Sequence, residues 1–165
     1  MTMEINEMSP ADWKSVLRIY LEGIATGEAT FETEAPSWEQ WDANHLPFAR
    51  LVAVADGLVS GWAALSPVSR RAVYRGVAET SVYVGEQWRG QRVGLRLLEK
   101  LIEASEAHGI WTLQAVIFPE NEASIALHKR CGFRTVGVRK RIGAIEGVWR
   151  NTVLLERRSE TVGNP

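Results

Sequence analysis

The feature that most constrains this chain is a change of hydrophobic period across one short loop. In "GVAETSVYVG" the residues alternate: Ala78, Thr80, Val82 and Val84 share one face, while Glu79, Ser81 and Tyr83 share the other. That is the period of a β-strand. From Gly94 the period becomes helical, with Leu97, Leu98, Leu101 and Ile102 as a core face and Glu99, Lys100, Glu103 and Glu106 toward solvent. Gly109 stops this helix. The continuous apolar run "IWTLQAVIF" follows as a central strand and ends at Pro119. A strand, a helix and a strand in that order call for one sheet with helices packed on it, a mixed α/β class.

The flanking segments add elements to that unit. "SPADWKSVLRIYLEGIA" opens with Ser9 as N-cap and Pro10 at the first helical position. Trp13, Val16, Leu17, Tyr20, Leu21 and Ile24 then form its predicted buried stripe. "SWEQWDANHL" reads as a short helix capped by Ser37, and "TGEATFETEAP" between the two as an irregular connection. "RLVAVADGLVSGWAALS" is a β-hairpin turning at Asp56-Gly57. "NEASIALHKRCG" is a helix from an Asn121 cap to a Gly132 stop, and "FRTVGVRKR" and "VWRNTVLLERR" supply two last strands. Residues 158–165 are expected to fray.

Composition argues against several functions. Lys and Arg number 19 against 20 Asp and Glu, a net charge of −1, whereas a nucleic-acid binder carries a basic excess or stripe. The longest apolar stretch, "LVAVADGLVSGWAAL", is broken by Asp56, Gly57 and Gly61, so no membrane span is expected. The acidic start "MTMEINEMSP" has no apolar leader, and Cys131 is the only cysteine, so a cytoplasmic location is expected. Cys131 reads as a small buried hydrophobe. His45 and His108 have no partners at ligand spacing, so no metal is expected. Trp13, Trp38, Trp41, Trp62, Trp88 and Trp111 read as core or interface packing.

The loop itself, Arg89-Gly90-Gln91-Arg92-Val93-Gly94, leads a strand into a helix N-terminus. Such a terminus offers free backbone N–H groups and the positive end of the helix dipole, an anion cradle built from backbone alone. Glycine is required only where φ is positive or a side chain would block the ligand, demands that Gly90 and Gly94 can meet. Arg92 still donates its N–H and adds charge. A polar turn opening an ordinary helix has the same pattern, so the loop alone does not decide. No Gly-Lys-Ser/Thr follows, which excludes a Walker loop, and the dinucleotide-binding spacing is absent.

The loop's surroundings carry more information. "SVYVGEQWRGQRVGLRLLEKLIEASEAHG" resembles the central motif of the GNAT superfamily of acyl-CoA-dependent N-acetyltransferases, a strand, a loop of pattern [QR]-x-x-G-x-[GA], and a helix. Arg89 and Gly94 match the first and last positions, and Arg92 departs at the fourth. "NEASIALHKRCGF" matches that superfamily's second signature. "ATFETEAP", "RRAVYRGVAETSVYV", "SIALHKRCGF" and "GVWRNTV" are similar to segments of its phosphinothricin and methionine-sulfoximine N-acetyltransferase branch. The resemblance implies a single α/β (α+β) domain over the chain, a mixed central sheet of about six to seven strands flanked by about four helices. It also implies acetyl-CoA as co-substrate, a small-molecule amine as acceptor, and a homodimer.

Direct acetyl transfer to an amine needs a base, because a free α-ammonium titrates at roughly pH 8 to 10. The resemblance assigns this role to Glu79; a solvent-facing glutamate is the alternative. It assigns a second catalytic role to His128, either protonating the thiolate or relaying protons, against a purely packed histidine. Val82 and Val84 would offer amides freed by a strand bulge for the oxyanion and the pantetheine, beside Tyr83. Arg89, Gly90, Gln91, Arg92, Val93, Gly94 and Leu95 would cradle the pyrophosphate. Asn121 and Ser124 would reach the pantetheine arm, or simply cap their helix. For the acceptor, Arg70, Arg71 and Tyr74 would hold an acidic group, and Phe31 and Trp149 would wall the pocket. Two further readings remain open: acetylation of another amine such as a peptide N-terminus, and a non-catalytic acyl-CoA sensor.

Overall fold

The computed structural model describes residues 2–165. Seven strands form one sheet: β1 (Met3–Glu7), β2 (Leu51–Ala55), β3 (Leu58–Pro67), β4 (Val77–Val84), β5 (Thr112–Ile117), β6 (Arg134–Ile145) and β7 (Val148–Arg158). Four α-helices flank it: α1 (Trp13–Thr26), α2 (Trp38–Asn44), α3 (Val93–Ala107) and α4 (Glu122–Arg130). The strand order is β1-β2-β3-β4-β5-β7-β6, with β4 and β5 the parallel pair and the other neighbours antiparallel. The mixed sheet expected from the sequence is present.

Alternation along the strands divides the core into two layers. Ala53, Ala63, Leu65, Leu113, Ala115 and Leu155 pack with Leu97, Leu98 and Leu101 of α3. On the opposite face Val52, Trp62 and Ala64 pack with Val16, Ile19 and Tyr20 of α1 and Trp41 of α2. The second layer is aromatic: Tyr20 and Tyr83 both stack on Trp62, at 5.9 and 4.8 Å between centroids, and Trp41 meets Trp62 edge-on at 5.6 Å. Trp13 and Trp38 complete this cluster, 5.6 Å apart.

The stripe on α1 is displaced from its predicted place. The buried residues are Val16, Ile19, Tyr20 and Gly23, and Leu21 is exposed. Gly23 belongs to the packed face because a Cβ there would lie 2.7 Å from the Tyr83 ring, a close approach that hydrophobicity does not encode. Ser9 and Pro10 open a 3-10 turn (Pro10–Asp12) before α1, with the Ser9 N–H donating to Asp12 Oδ2 at 2.8 Å.

Two strand boundaries also differ. No element is predicted before Ser9, yet β1 pairs with β2 and contributes Met3 and Ile5 to the core. β7 matches its expected range, whereas β6 runs on to Ile145 and joins it in a hairpin through Glu146 and Gly147, both at positive φ like Asp56 and Gly57 in the first hairpin. The tail expected to fray from 158 instead folds back. Ser159 is buried and its N–H donates to the Trp111 carbonyl at 2.8 Å, while the Arg158 guanidinium reaches the carbonyls of Val162 and Gly163. Ser159 and Thr161 hydroxyls donate to Glu106 Oε2, and these bonds hold its carboxyl below the usual carboxylate range.

Candidate active site

The site is built where β4 and β5 part. They pair only from Val77↔Thr112 to Glu79↔Gln114. Beyond that, β4 stays on β3 as far as Val84↔Gly61, and β5 stays on β7 as far as Ile117↔Val153. The two strands therefore diverge into a wedge. Gly85 donates its N–H to Ser60 of β3 at 2.8 Å, so by strand alternation the Val82 and Val84 N–H groups point away from β3 into that wedge. The expected bulge in β4 is absent: its register with β3 runs unbroken from Pro67↔Ala78 to Gly61↔Val84. Divergence, not a bulge, frees the amides.

Two cavities that share wall residues flank these amides. The outer groove, of about 480 Å3, is lined by Val84, Arg89, Gly90, Arg92, Gly94 and Leu95, with Val93 also on its wall. The inner cavity, of about 290 Å3, holds Glu79, Ser81, Phe31, His128 and Thr152. Val82, Tyr83, Asn121 and Ser124 line both.

The outer groove is shaped by the start of α3. The first intrahelical bond runs from the Arg96 N–H to the Arg92 carbonyl, leaving the N–H groups of Val93, Gly94 and Leu95 without helical partners. Gly90 has φ of 76° and Arg92 φ of 64°, both left-handed, so the arginine occupies a conformation that favours glycine. Gly94 is not in that region; a Cβ there would lie 3.2 Å from Leu127 and 3.5 Å from Val84. Gln91 lines neither cavity, because its side-chain amide turns back to the Gln87 carbonyl at 3.1 Å.

In the inner cavity Glu79 Oε1 accepts a hydrogen bond from Gln114 Nε2 at 2.8 Å. His128 lies on the other side of β4. Its Nδ1 donates to the Ser124 carbonyl at 2.8 Å, which leaves Nε2 facing Thr80 Oγ1 at 3.2 Å. Thr80 Oγ1 also lies 3.3 Å from the Gln114 carbonyl, and its single proton goes to Nε2 when the ring is neutral with Nδ1 protonated. Gln114 thus touches Glu79 through its side chain and Thr80 through its backbone. Neither Gln114 nor Thr80 was singled out from the sequence, because their roles depend on the β4–β5 register. Burial of His128 pushes its pKa below the usual histidine value. The ring is then neutral at pH 7, with Nε2 as a proton acceptor.

This shift has a consequence for stability. A histidine whose folded pKa is depressed stabilises the fold above its unfolded value of 6.5, and that contribution is lost as pH falls below it. His45 is shifted in the same direction by burial. The melting temperature therefore declines between pH 7.5 and pH 5.5, and His128→Gln makes that decline shallower. An unchanged slope in thermal scans would show that His128 is not buried neutral.

The other expected acceptor residues divide. Phe31 lines the inner cavity and meets Phe118 edge-on at 4.8 Å. Arg70, Arg71 and Tyr74 do not line it; they stand on the exposed turn before β4, with the Arg71 guanidinium over the Tyr74 ring at 5.5 Å. Trp149 is exposed beside the β6–β7 turn. Asn121 caps α4, its Oδ1 accepting the Ser124 N–H at 3.2 Å, and its Nδ2 reaches the Glu28 carbonyl. Among the described residues no group of three or more His, Cys, Asp or Glu side chains could hold a metal ion. No helix among them is long and apolar enough to cross a membrane.

The description Acetyltransferase (GNAT) family matches residues 13–133, from the start of α1 to the end of the α4 signature. The chain belongs to the GNAT acetyltransferase family. It is accordingly an acyltransferase. This GNAT chain is 36% identical over 155 residues to a phosphinothricin N-acetyltransferase of Alcaligenes faecalis, covering 88% of this chain and 77% of that one. It is 30% identical to an L-methionine sulfoximine/L-methionine sulfone acetyltransferase of Pseudomonas paraeruginosa, covering 94% of each. Among solved structures it is similar to a GNAT superfamily phosphinothricin acetyltransferase from Sinorhizobium meliloti in complex with AcCoA. That match has a TM-score of 0.86 and 30% identity, covering 99% of this chain and 96% of that one.

Proposed function

We propose that this GNAT enzyme transfers an acetyl group directly from acetyl-CoA to the α-amine of a small amino-acid-like substrate of the phosphinothricin or methionine sulfoximine kind. The observation that carries the reading is the wedge between β4 and β5. It turns the Val82 and Val84 amides toward a junction of two cavities, one at the α3 N-terminus and one containing Glu79.

The roles follow from that layout. The unpaired amides of Val93, Gly94 and Leu95 bind a pyrophosphate, helped by Arg89 and Arg92 and by the turn at Gly90. Val84 and Val82 hold an extended pantetheine arm by strand-like hydrogen bonds, with Asn121 and Ser124 on its other side. One of the two wedge amides donates to the thioester oxygen as negative charge develops there. Glu79, oriented by Gln114, takes a proton from the ammonium so that the neutral amine can attack the thioester carbon. His128, neutral and hydrogen-bonded through Thr80, serves as a proton acceptor and relay, not as the acid that protonates the thiolate. The C–N bond forms and the C–S bond breaks, the attacking nitrogen gives up its second proton to solvent or the His128 relay, and solvent protonates the departing thiolate. Direct transfer uses no cysteine nucleophile.

Two measurements test the proposal. Millimolar acetyl-CoA raises the melting temperature, and a thiol-release assay over amino acids finds turnover of phosphinothricin or methionine sulfoximine. Turnover of a peptide N-terminus with none of either amino acid would replace the acceptor assignment.

Arg92 supplies a further check on the cradle. A left-handed non-glycine residue costs about 1–2 kcal/mol, while glycine loses about 0.5–1 kcal/mol through unfolded-chain entropy. Arg92→Gly therefore changes stability by only about 1 kcal/mol, yet weakens acetyl-CoA binding about fivefold by removing a charge at the groove. Calorimetry that finds unchanged affinity would exclude Arg92 from the cradle.

A further inference from the structure

Thr152 is a polar side chain of the inner cavity whose chemistry the reaction does not use. It lines that cavity, is 2% exposed, and its hydroxyl has no hydrogen-bond partner among the described residues. A buried hydroxyl without a partner is costly, and such groups are uncommon in folded proteins. The two other side chains of this kind are the indoles of Trp41 and Trp62, which belong to the aromatic layer. Among the described residues Thr152 is thus the fully buried hydroxyl without a partner at the site itself.

Its position follows from the sheet. Ile117 of β5 is paired with Val153 of β7, so Thr152 falls opposite Phe118, four positions along from Gln114. Val153 packs into the α3 layer, so alternation turns Thr152 to the face shared by Glu79, Gln114 and Val116. The hydroxyl therefore stands on the same face as the proposed base, further along the cavity.

The surroundings limit what it can meet. The wall beside Thr152 includes Phe118, opposite it across the sheet, and Phe31, which meets Phe118 edge-on at 4.8 Å. The charged side chains lining the cavity are Glu28, Glu32 and Glu79, and no lysine or arginine joins them. The nearest guanidinium, Arg150, lies over the Phe118 ring at 4.1 Å and is already engaged by the Gly27 carbonyl and Glu120, so the Thr152 hydroxyl itself has no charged partner at this end of the cavity. An uncharged polar group can pair with that hydroxyl without the cost of burying a charge.

We infer that Thr152 is a specificity-determining residue whose hydroxyl hydrogen-bonds an uncharged polar group on the acceptor's side chain, such as a sulfoximine, sulfone or amide. The inference rests on the proposed amino-acid acetylation and narrows its substrate class. Thr152→Val keeps the shape and β-branching and removes only the hydroxyl.

The test compares L-methionine sulfoximine with L-methionine, which has the same skeleton without the sulfur-bound oxygen and nitrogen. The substitution lowers kcat/KM for methionine sulfoximine about tenfold, the scale of one neutral hydrogen bond, and leaves that for methionine unchanged. The melting temperature of the free protein stays the same or rises, because no internal bond is lost. An equal fall for both acceptors, no fall for either, or a melting temperature lower by several degrees overturns the assignment of Thr152. If the wild-type enzyme binds acetyl-CoA but acetylates neither amino acid, the acceptor assignment itself fails and this inference fails with it.

Discussion

Glu79→Gln lowers kcat by about 10²-fold or more, the usual scale for loss of a general base, and leaves acetyl-CoA affinity within about twofold. The substitution is close to isosteric, and a glutamine carbonyl at position 79 can still accept the Gln114 N–H that now reaches Glu79 Oε1 at 2.8 Å. The cavity shape therefore persists, and only the ability to take a proton is lost. Binding is spared because the outer groove is made by β4 amides and the start of α3, which Glu79 does not touch. Thiol-release kinetics and calorimetry on one preparation separate the two effects. A rate within about threefold of wild type would remove Glu79 from the mechanism.

Trp62→Ala destabilises the fold by about 3–5 kcal/mol, the range for deleting a large buried aromatic side chain. Trp62 is fully buried on β3 and stacks against both Tyr20 and Tyr83. Its indole N–H has no partner, so the loss is one of packing and not of a hydrogen bond. For a chain of this size the melting temperature falls by roughly 6–20 °C. Activity at temperatures where the variant stays folded also drops, because Tyr83 lines both cavities and loses the ring it rests on. Urea unfolding with an unchanged m-value measures the stability term. A loss under about 1 kcal/mol would mean that the aromatic layer closes over the space.

Much of the molecule was legible before its fold was known. The switch from period two to period 3.6 between Val84 and Leu97 fixed strand, loop and helix in order, since side-chain burial follows those periods directly. Asp56-Gly57, the Asn121 cap and the Gly109 and Gly132 stops are local signals with local causes. β1 and the Glu146-Gly147 hairpin lay in short or charge-rich stretches where that signal is weak.

The sequence by itself determined most of the elements and the loop at the start of α3, and the resemblance carried by its motifs singled out Glu79 and His128 as candidates. Only the tertiary structure decided that β4 leaves β5 after Glu79, that Gln114 and Thr80 stand between those two residues, and that Arg70, Arg71 and Trp149 lie outside the cavity while Thr152 lines it. The physical reason is range. Periodicity and capping depend on residues a few positions apart, whereas register, strand divergence and cavity walls depend on which distant strands meet, and no local pattern encodes that pairing.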